Sequence, residues 1–195
     1  MPPLSPTTGG KPLFLTCSSP VSLIVDSCIA NSVGKFTVQN EQVDLSLREA
    51  TSEDEPFLLE VYASTRLEEL EGFGWTDDQK QAFIKMQFLA RERCYPRVDN
   101  RIIVLNGRPI GRIQVDRGEE AILLRDIELL TEFRNKGLGN RLLQDLMNEA
   151  TSAGKPIQLH VLASSPAVRF YERLGFCRTG DDAAYLEMKW VPATN

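Results

Sequence analysis

The sequence predicts a domain of the α/β (α+β) class, a sheet flanked by helices, and three observations carry that reading. Residues 122–130 form an apolar run that enters a turn with two glycines, Gly137 and Gly139, set among Arg134, Lys136 and Arg141. Behind this turn Leu138, Leu142, Leu143, Leu146, Met147 and Ala150 recur at helical spacing. Residues 157–162 read as a second strand, followed by a helix with Ser165 as N-cap, Pro166 at its first position and Gly175 beyond its end. Upstream, residues 101–105 and 109–115 flank Asn106-Gly107, the strongest short signal for a β-hairpin.

The chain has 195 residues, the length of one domain with a substantial core, and its 42% hydrophobic and 25% charged residues are an ordinary soluble composition. A net charge of −5 speaks against a nucleic-acid partner, which would want a basic face. Cys17, Cys28, Cys94 and Cys177 lie far apart and His160 is the only histidine, so no metal site is expected and thiols in a reducing cytoplasm are the simpler reading. Residues 1–42 begin with a Pro/Thr/Gly-rich stretch and continue through a broken apolar segment. That segment is too short and polar to span a membrane and too irregular for a signal peptide. They read as a flexible extension with a short strand at 22–25.

The domain proper is expected over residues 43–192. Residues 43–48 alternate like an edge strand. Ser52 and Glu55 form a capping box for a helix that carries Phe57, Leu58, Val61 and Tyr62 and runs to about Leu70. The stretch 72–75 breaks it. Thr76 and Gln79 form a second capping box, and Ala82, Phe83, Met86 and Ala90 mark the apolar face of the next helix, which Pro96 stops. The hairpin and the 122–130 strand make a meander, and 176–179 pairs with 183–190 at the end. The expected order is β-α-α-β-β-β-α-β-α-β-β.

A basic glycine loop that opens a helix suits a phosphate: free N–H groups and the helix dipole face the anion, and glycine lets the backbone approach it. No Gly-Lys-Ser/Thr follows, and position 142 is Leu, so neither the Walker loop nor Gly-x-Gly-x-x-Gly is present. Arg134-x-x-Gly137-x-Gly139 resembles the pyrophosphate loop of the GNAT superfamily of acetyltransferases, and 166–176, Pro-Ala-Val-Arg-Phe-Tyr-Glu-Arg-Leu-Gly-Phe, resembles its second motif. The resemblance covers residues 43–190. Met86-Gln87-Phe88 is similar to a motif in the second helix of one bacterial group of these proteins.

The resemblance implies the GNAT acyl-CoA N-acyltransferase fold: a central mixed, mostly antiparallel sheet flanked by about four helices. It implies acetyl-CoA as acetyl donor and a primary amine of a small molecule or peptide as acceptor, in a cytoplasmic enzyme with room for a homodimer. For the cofactor it points to the main chain at Leu129 and Leu130, to Arg134, Asn135, Lys136, Gly137, Leu138, Gly139 and Asn140, and to Ser165, which stands where the family often has Asn. Tyr171 is the candidate general acid for the departing thiolate, with a packed core tyrosine as the plain alternative. Candidate bases are Glu128, then Asp126 on the same strand face, His160, or water. Arg66, Trp75 and Gln87 are candidates for the acceptor site. A non-catalytic acyl-CoA-binding sensor is the alternative from another class.

Overall fold

The structure is a computed structural model that describes residues 44–94, 99–182 and 184–193. The expected extension, its short strand, Cys17, Cys28 and Pro96 lie outside the described residues. Among the described residues seven strands form one sheet in the order β1-β2-β3-β4-β5-β7-β6. They are β1 (Leu45–Glu49), β2 (Asp99–Leu105), β3 (Arg108–Arg117), β4 (Ile122–Leu129), β5 (Ile157–Leu162), β6 (Cys177–Asp182) and β7 (Tyr185–Trp190). The helices are α1 (Glu55–Arg66), α2 (Asp77–Cys94), α3 (Leu138–Ala153) and α4 (Ala167–Arg173). Every neighbouring pair is antiparallel except β4 and β5, which the α3 crossover makes parallel. Fold class and element order are as the sequence predicts.

The sheet's period of two gives each face its own core. On one face Ile113, Val115, Ile127, Leu159 and Val161 pack with Leu142, Leu143 and Leu146 of α3 and Phe170 and Tyr171 of α4. On the other, Ile102 and Val104 pack with Leu58 and Tyr62 of α1 and Ile84 and Phe88 of α2. Asn106 and Gly107 make the β2–β3 turn with φ of 50° and 79°, the left-handed pair such a hairpin requires.

Three local expectations shift. The first capping box uses Thr51 and Asp54, one residue earlier: the Thr51 N–H donates to Asp54 Oδ2 at 2.9 Å, and Arg48 holds the same carboxylate at 2.6 Å. The Thr76 box forms as expected, its N–H donating to Gln79 Oε1 at 2.9 Å. The first helix ends at Arg66, and a 3-10 segment (Glu68–Phe73) continues to Gly74, whose φ of 65° turns the chain. The buried face of α2 is Ile84, Phe88 and Arg91; Ala82 and Ala90 are exposed, and Met86 is 59% exposed. An arginine on the inner face hid the true stripe from an apolar count.

Candidate active site

The parallel pair is where the sheet opens. β4 and β5 align only through Ile122–Ile157, Leu123–Gln158 and Leu124–Leu159. A bulge at Arg125 follows, since Val115 faces Leu124 while Gln114 faces Asp126. Beyond it β4 stays on β3 and leaves β5. The Leu130 N–H donates to the Ile110 carbonyl at 2.9 Å, so the alternation of an antiparallel ladder turns the N–H and C=O of Ile127 and Leu129 toward the gap. The main chain at Leu129 therefore borders the opening, whereas the Leu130 N–H is engaged by the sheet.

The glycine loop closes one end of that gap. A 3-10 turn (Thr131–Phe133) leads to Arg134; Asn135 and Gly137 then take positive φ, 59° and 77°, and α3 begins. Its first intrahelical bond is Arg141 N–H to Gly137 C=O at 3.1 Å, so the N–H groups of Leu138, Gly139 and Asn140 project from the helix end. The first turn holds no acidic residue. Asn135, Lys136, Gly137 and Asn140 are exposed, while Leu138 is buried and anchors the loop. Gly137 answers a conformational need. Gly139 does not: a Cβ there would meet only the Phe170 ring, at an ordinary 3.7 Å, so the residue leaves open the surface a ligand would approach.

Arg134, an expected phosphate contact, also reaches two other elements of the fold. Its Nε donates to the Leu129 carbonyl at 2.9 Å, and its Nη2 reaches both the carbonyl and the hydroxyl of Ser64 in α1 at 3.2 Å.

Tyr171 stands against the same loop through Phe170, whose ring centroid lies 5.5 Å from its own and whose edge faces Gly139. The side chain is fully buried, and no hydrogen-bond partner is within reach of its Oη among the described residues. Burial pushes the phenol well above its ordinary pKa, so it stays protonated at any working pH. Leaving such a hydroxyl unpaired costs about 1–3 kcal/mol. Ser165 caps α4: its Oγ accepts from the Ala167 N–H at 3.2 Å and its carbonyl accepts from Val168. The cap is as expected.

The candidate bases separate. Asp126 and Glu128 share a face of β4, as their spacing predicts, but both are 1% exposed and lie under α2. Glu128 accepts from Arg91 Nη1 at 3.2 Å and from Arg112 Nε at 2.9 Å. Asp126 accepts from Arg91 Nη2, which also donates to Gln114 at 3.1 Å. Arg112 reaches Glu92 at 2.7 Å. Burial raises the proton affinity of Glu128, but Arg91 and Arg112 outweigh it and hold the carboxyl below its ordinary pKa. A carboxylate so held is a poor proton acceptor. His160, in contrast, is half exposed on β5, one residue past the last β4–β5 pair, with Glu187 Oε1 3.5 Å from its Nε2.

The acceptor candidates sit at the end of α1, on α2 and in the connection between them. The Arg66 guanidinium lies 5.4 Å from the Tyr62 ring centroid and is close enough to Glu128 to stabilise its charge. Trp75 packs between Phe73 and Phe83, with centroids at 5.6 and 5.1 Å, and so anchors the α1–α2 connection. Gln87 is half-buried on α2. Arg91 and Arg112 were not anticipated. The available signal was two acidic residues in a strand otherwise apolar enough to be buried, which requires buried cations. Among the described residues no His/Cys/Asp/Glu group could hold a metal, and no helix is long and apolar enough to cross a membrane.

A family profile described as an acetyltransferase (GNAT) domain matches residues 71–194. The PaiA N-acetyltransferase from Thermoplasma acidophilum, solved with coenzyme A, is similar in structure with a TM-score of 0.59 at 17% identity, over 76% of this chain and 99% of that one. An acetyltransferase from Thermus thermophilus has a TM-score of 0.56 at 19% identity, over 75% and 96%. The ribosomal-protein-S18-alanine N-acetyltransferase from Escherichia coli has a TM-score of 0.53 at 19% identity, over 78% and 97%. These likenesses show the fold. Comparison with curated proteins by sequence found no match.

Proposed function

The chain belongs to the GNAT acetyltransferase family, and from that premise we propose that it moves the acetyl group of acetyl-CoA to a primary amine of a small molecule or peptide. The observation that carries the reading is the Tyr171 hydroxyl, buried without a hydrogen-bond partner among the described residues, on the helix whose Phe170 ring faces Gly139 of the loop. A group that costs stability when unpaired has its use in a bound state. The residues fit a pyrophosphate donor: three projecting N–H groups at the start of α3, no acid in its first turn, and Lys136 exposed next to them. Similarity to a protein solved with coenzyme A supports the same donor.

Acetyl-CoA supplies the thioester. The N–H groups of Leu138, Gly139 and Asn140, with Lys136 and Asn135, hold the pyrophosphate. The main chain at Leu129 borders the reacting carbonyl, where an N–H donor stabilises the oxyanion that develops there. Ser165 keeps α4 capped and so fixes Tyr171. Tyr171 holds its proton until the sulfur departs, gives it to the sulfur from Oη and regains one from water once the thiol has left. The amine's proton leaves on the open His160 side, directly or through water. Asp126 and Glu128 serve as counter-charges rather than as the base. The acceptor lies against α1, α2 and their connection, near Arg66, Gln87 and Trp75.

The test is thiol release from acetyl-CoA across a panel of amino acids, polyamines, aminoglycosides and peptides with free N-termini. Amine-dependent release with an acetylated product is expected for at least one class. Tight acetyl-CoA binding without amine-dependent release from any class would leave a binding module instead.

A further inference from the structure

We propose that Arg134 is a positioning residue that joins the donor loop to the end of α1, so that donor binding orders the acceptor-side helices. This rests on the donor site proposed above. Three observations lead to it. The guanidinium spans three elements: it belongs to the loop, its Nε holds the Leu129 carbonyl at the end of β4, and its Nη2 holds the Ser64 carbonyl and hydroxyl. Ser64 is built to receive it, because its Oγ donates to the Val61 carbonyl at 2.8 Å and so turns a lone pair to Arg134. Finally, the Ser64 carbonyl lies in the last turn of α1, and that end of the helix carries the negative pole of its dipole. Arg134 therefore acts as a charged C-terminal cap supplied from the donor loop.

The consequence is mechanical. Asn135 and Gly137, on either side of Lys136, hold the left-handed turn that sets the α3 N–H groups. Fixing that turn on a phosphate fixes the adjacent Arg134, and through its fork the last turn of α1. A lysine could keep the charge but could not hold two carbonyls and a hydroxyl in one plane.

The experiment follows backbone hydrogen exchange of residues 61–67 in the full chain, with and without saturating acetyl-CoA, beside calorimetric acetyl-CoA affinity. In wild type, acetyl-CoA slows exchange there by about tenfold. In Arg134→Gln and Arg134→Lys, affinity stays within about threefold of wild type and the slowing disappears in both. Ser64→Ala, which removes only the hydroxyl arm, reduces the slowing at unchanged affinity, and it decides the matter if the Arg134 variants fail to fold. Full protection in Ser64→Ala or in the Arg134 variants overturns the coupling. An affinity loss of tenfold or more in Arg134→Gln that Arg134→Lys restores makes Arg134 a phosphate ligand and also overturns it. Binding to wild type without protection of 61–67 defeats this inference alone. No binding to wild type defeats the donor site and the inference with it.

Discussion

Replacing Glu128 by Gln separates the two tasks that a carboxylate on β4 could have. The substitution keeps the shape and removes one negative charge from between two guanidiniums that are themselves buried, Arg91 at 5% and Arg112 at 0% exposure. Breaking a buried ion pair from one side costs about 3–5 kcal/mol, and Gln retains an acceptor for one arginine, so the low end, about 3 kcal/mol, applies. For a domain of this size that lowers the melting temperature by about 6–12 °C. The pH dependence carries the same sign. The folded-state pKa of Glu128 lies below its ordinary 4.5, so its stabilisation is complete above that pH and is lost as pH falls through the depressed value. The gap between wild type and Glu128→Gln should therefore be full at neutral pH and shrink below 4.5. Melting curves across pH measure the gap. Turnover at a temperature where both proteins are folded, with the best amine of the panel, measures the chemistry and should stay within about tenfold of wild type. A variant that melts with wild type but loses a hundredfold or more in turnover would refute the argument and make Glu128 the base.

Tyr171→Phe should lower turnover by ~10²–10⁴ at saturating acetyl-CoA, while the melting temperature holds or rises, because an unpaired buried hydroxyl is removed and the ring packing is kept. Turnover within threefold would return Tyr171 to a plain core role. Gly139→Glu should fold normally, since its Cβ meets nothing closer than 3.7 Å, yet lose at least ~10-fold in acetyl-CoA affinity by setting a carboxylate at the anion-binding helix end; calorimetry decides. A chain shortened to begin at Glu41 should keep acetyl-CoA binding and melt within about 3 °C of the full chain, because β1 draws its sheet partners from Leu45 onward.

Much of this fold is written in local terms. Alternation, the Asn106-Gly107 turn and the Thr76–Gln79 box are short-range signals, and each element they mark is present. The donor loop is equally local, because what it offers is main chain whose direction follows from glycine and the helix start. The misread parts depend on contacts across the fold. Arg91 sits three residues after Phe88 and seven after Ile84, at positions an apolar residue would fill, and its charge is acceptable there only because Asp126 and Glu128 arrive from β4. Arg112 and Gln114 alternate with Ile113 on β3, and their face lies beneath α2, where Gln114 meets Arg91 and Arg112 meets Glu92. Periodicity finds the face of an element, but the sign of what covers that face is a property of its partner.

The same distinction explains why a loop with three cations spends one of them elsewhere. Two helix ends of opposite polarity meet at this loop. The start of α3 is positive, and its own first turn supplies no acid to it. The end of α1 is negative, and the chain does supply its cation, Arg134, at 3.2 Å from the Ser64 carbonyl. Capping one pole from within and leaving the other open concentrates the unmet potential at Leu138, Gly139 and Asn140. An anion bound there interacts with fixed N–H dipoles whose direction is set by Gly137 and Asn135, and Lys136 adds charge rather than direction. Affinity should accordingly depend more on the loop's conformation than on its net charge, so Lys136→Gln should cost less acetyl-CoA binding than the Gly139→Glu change beside it.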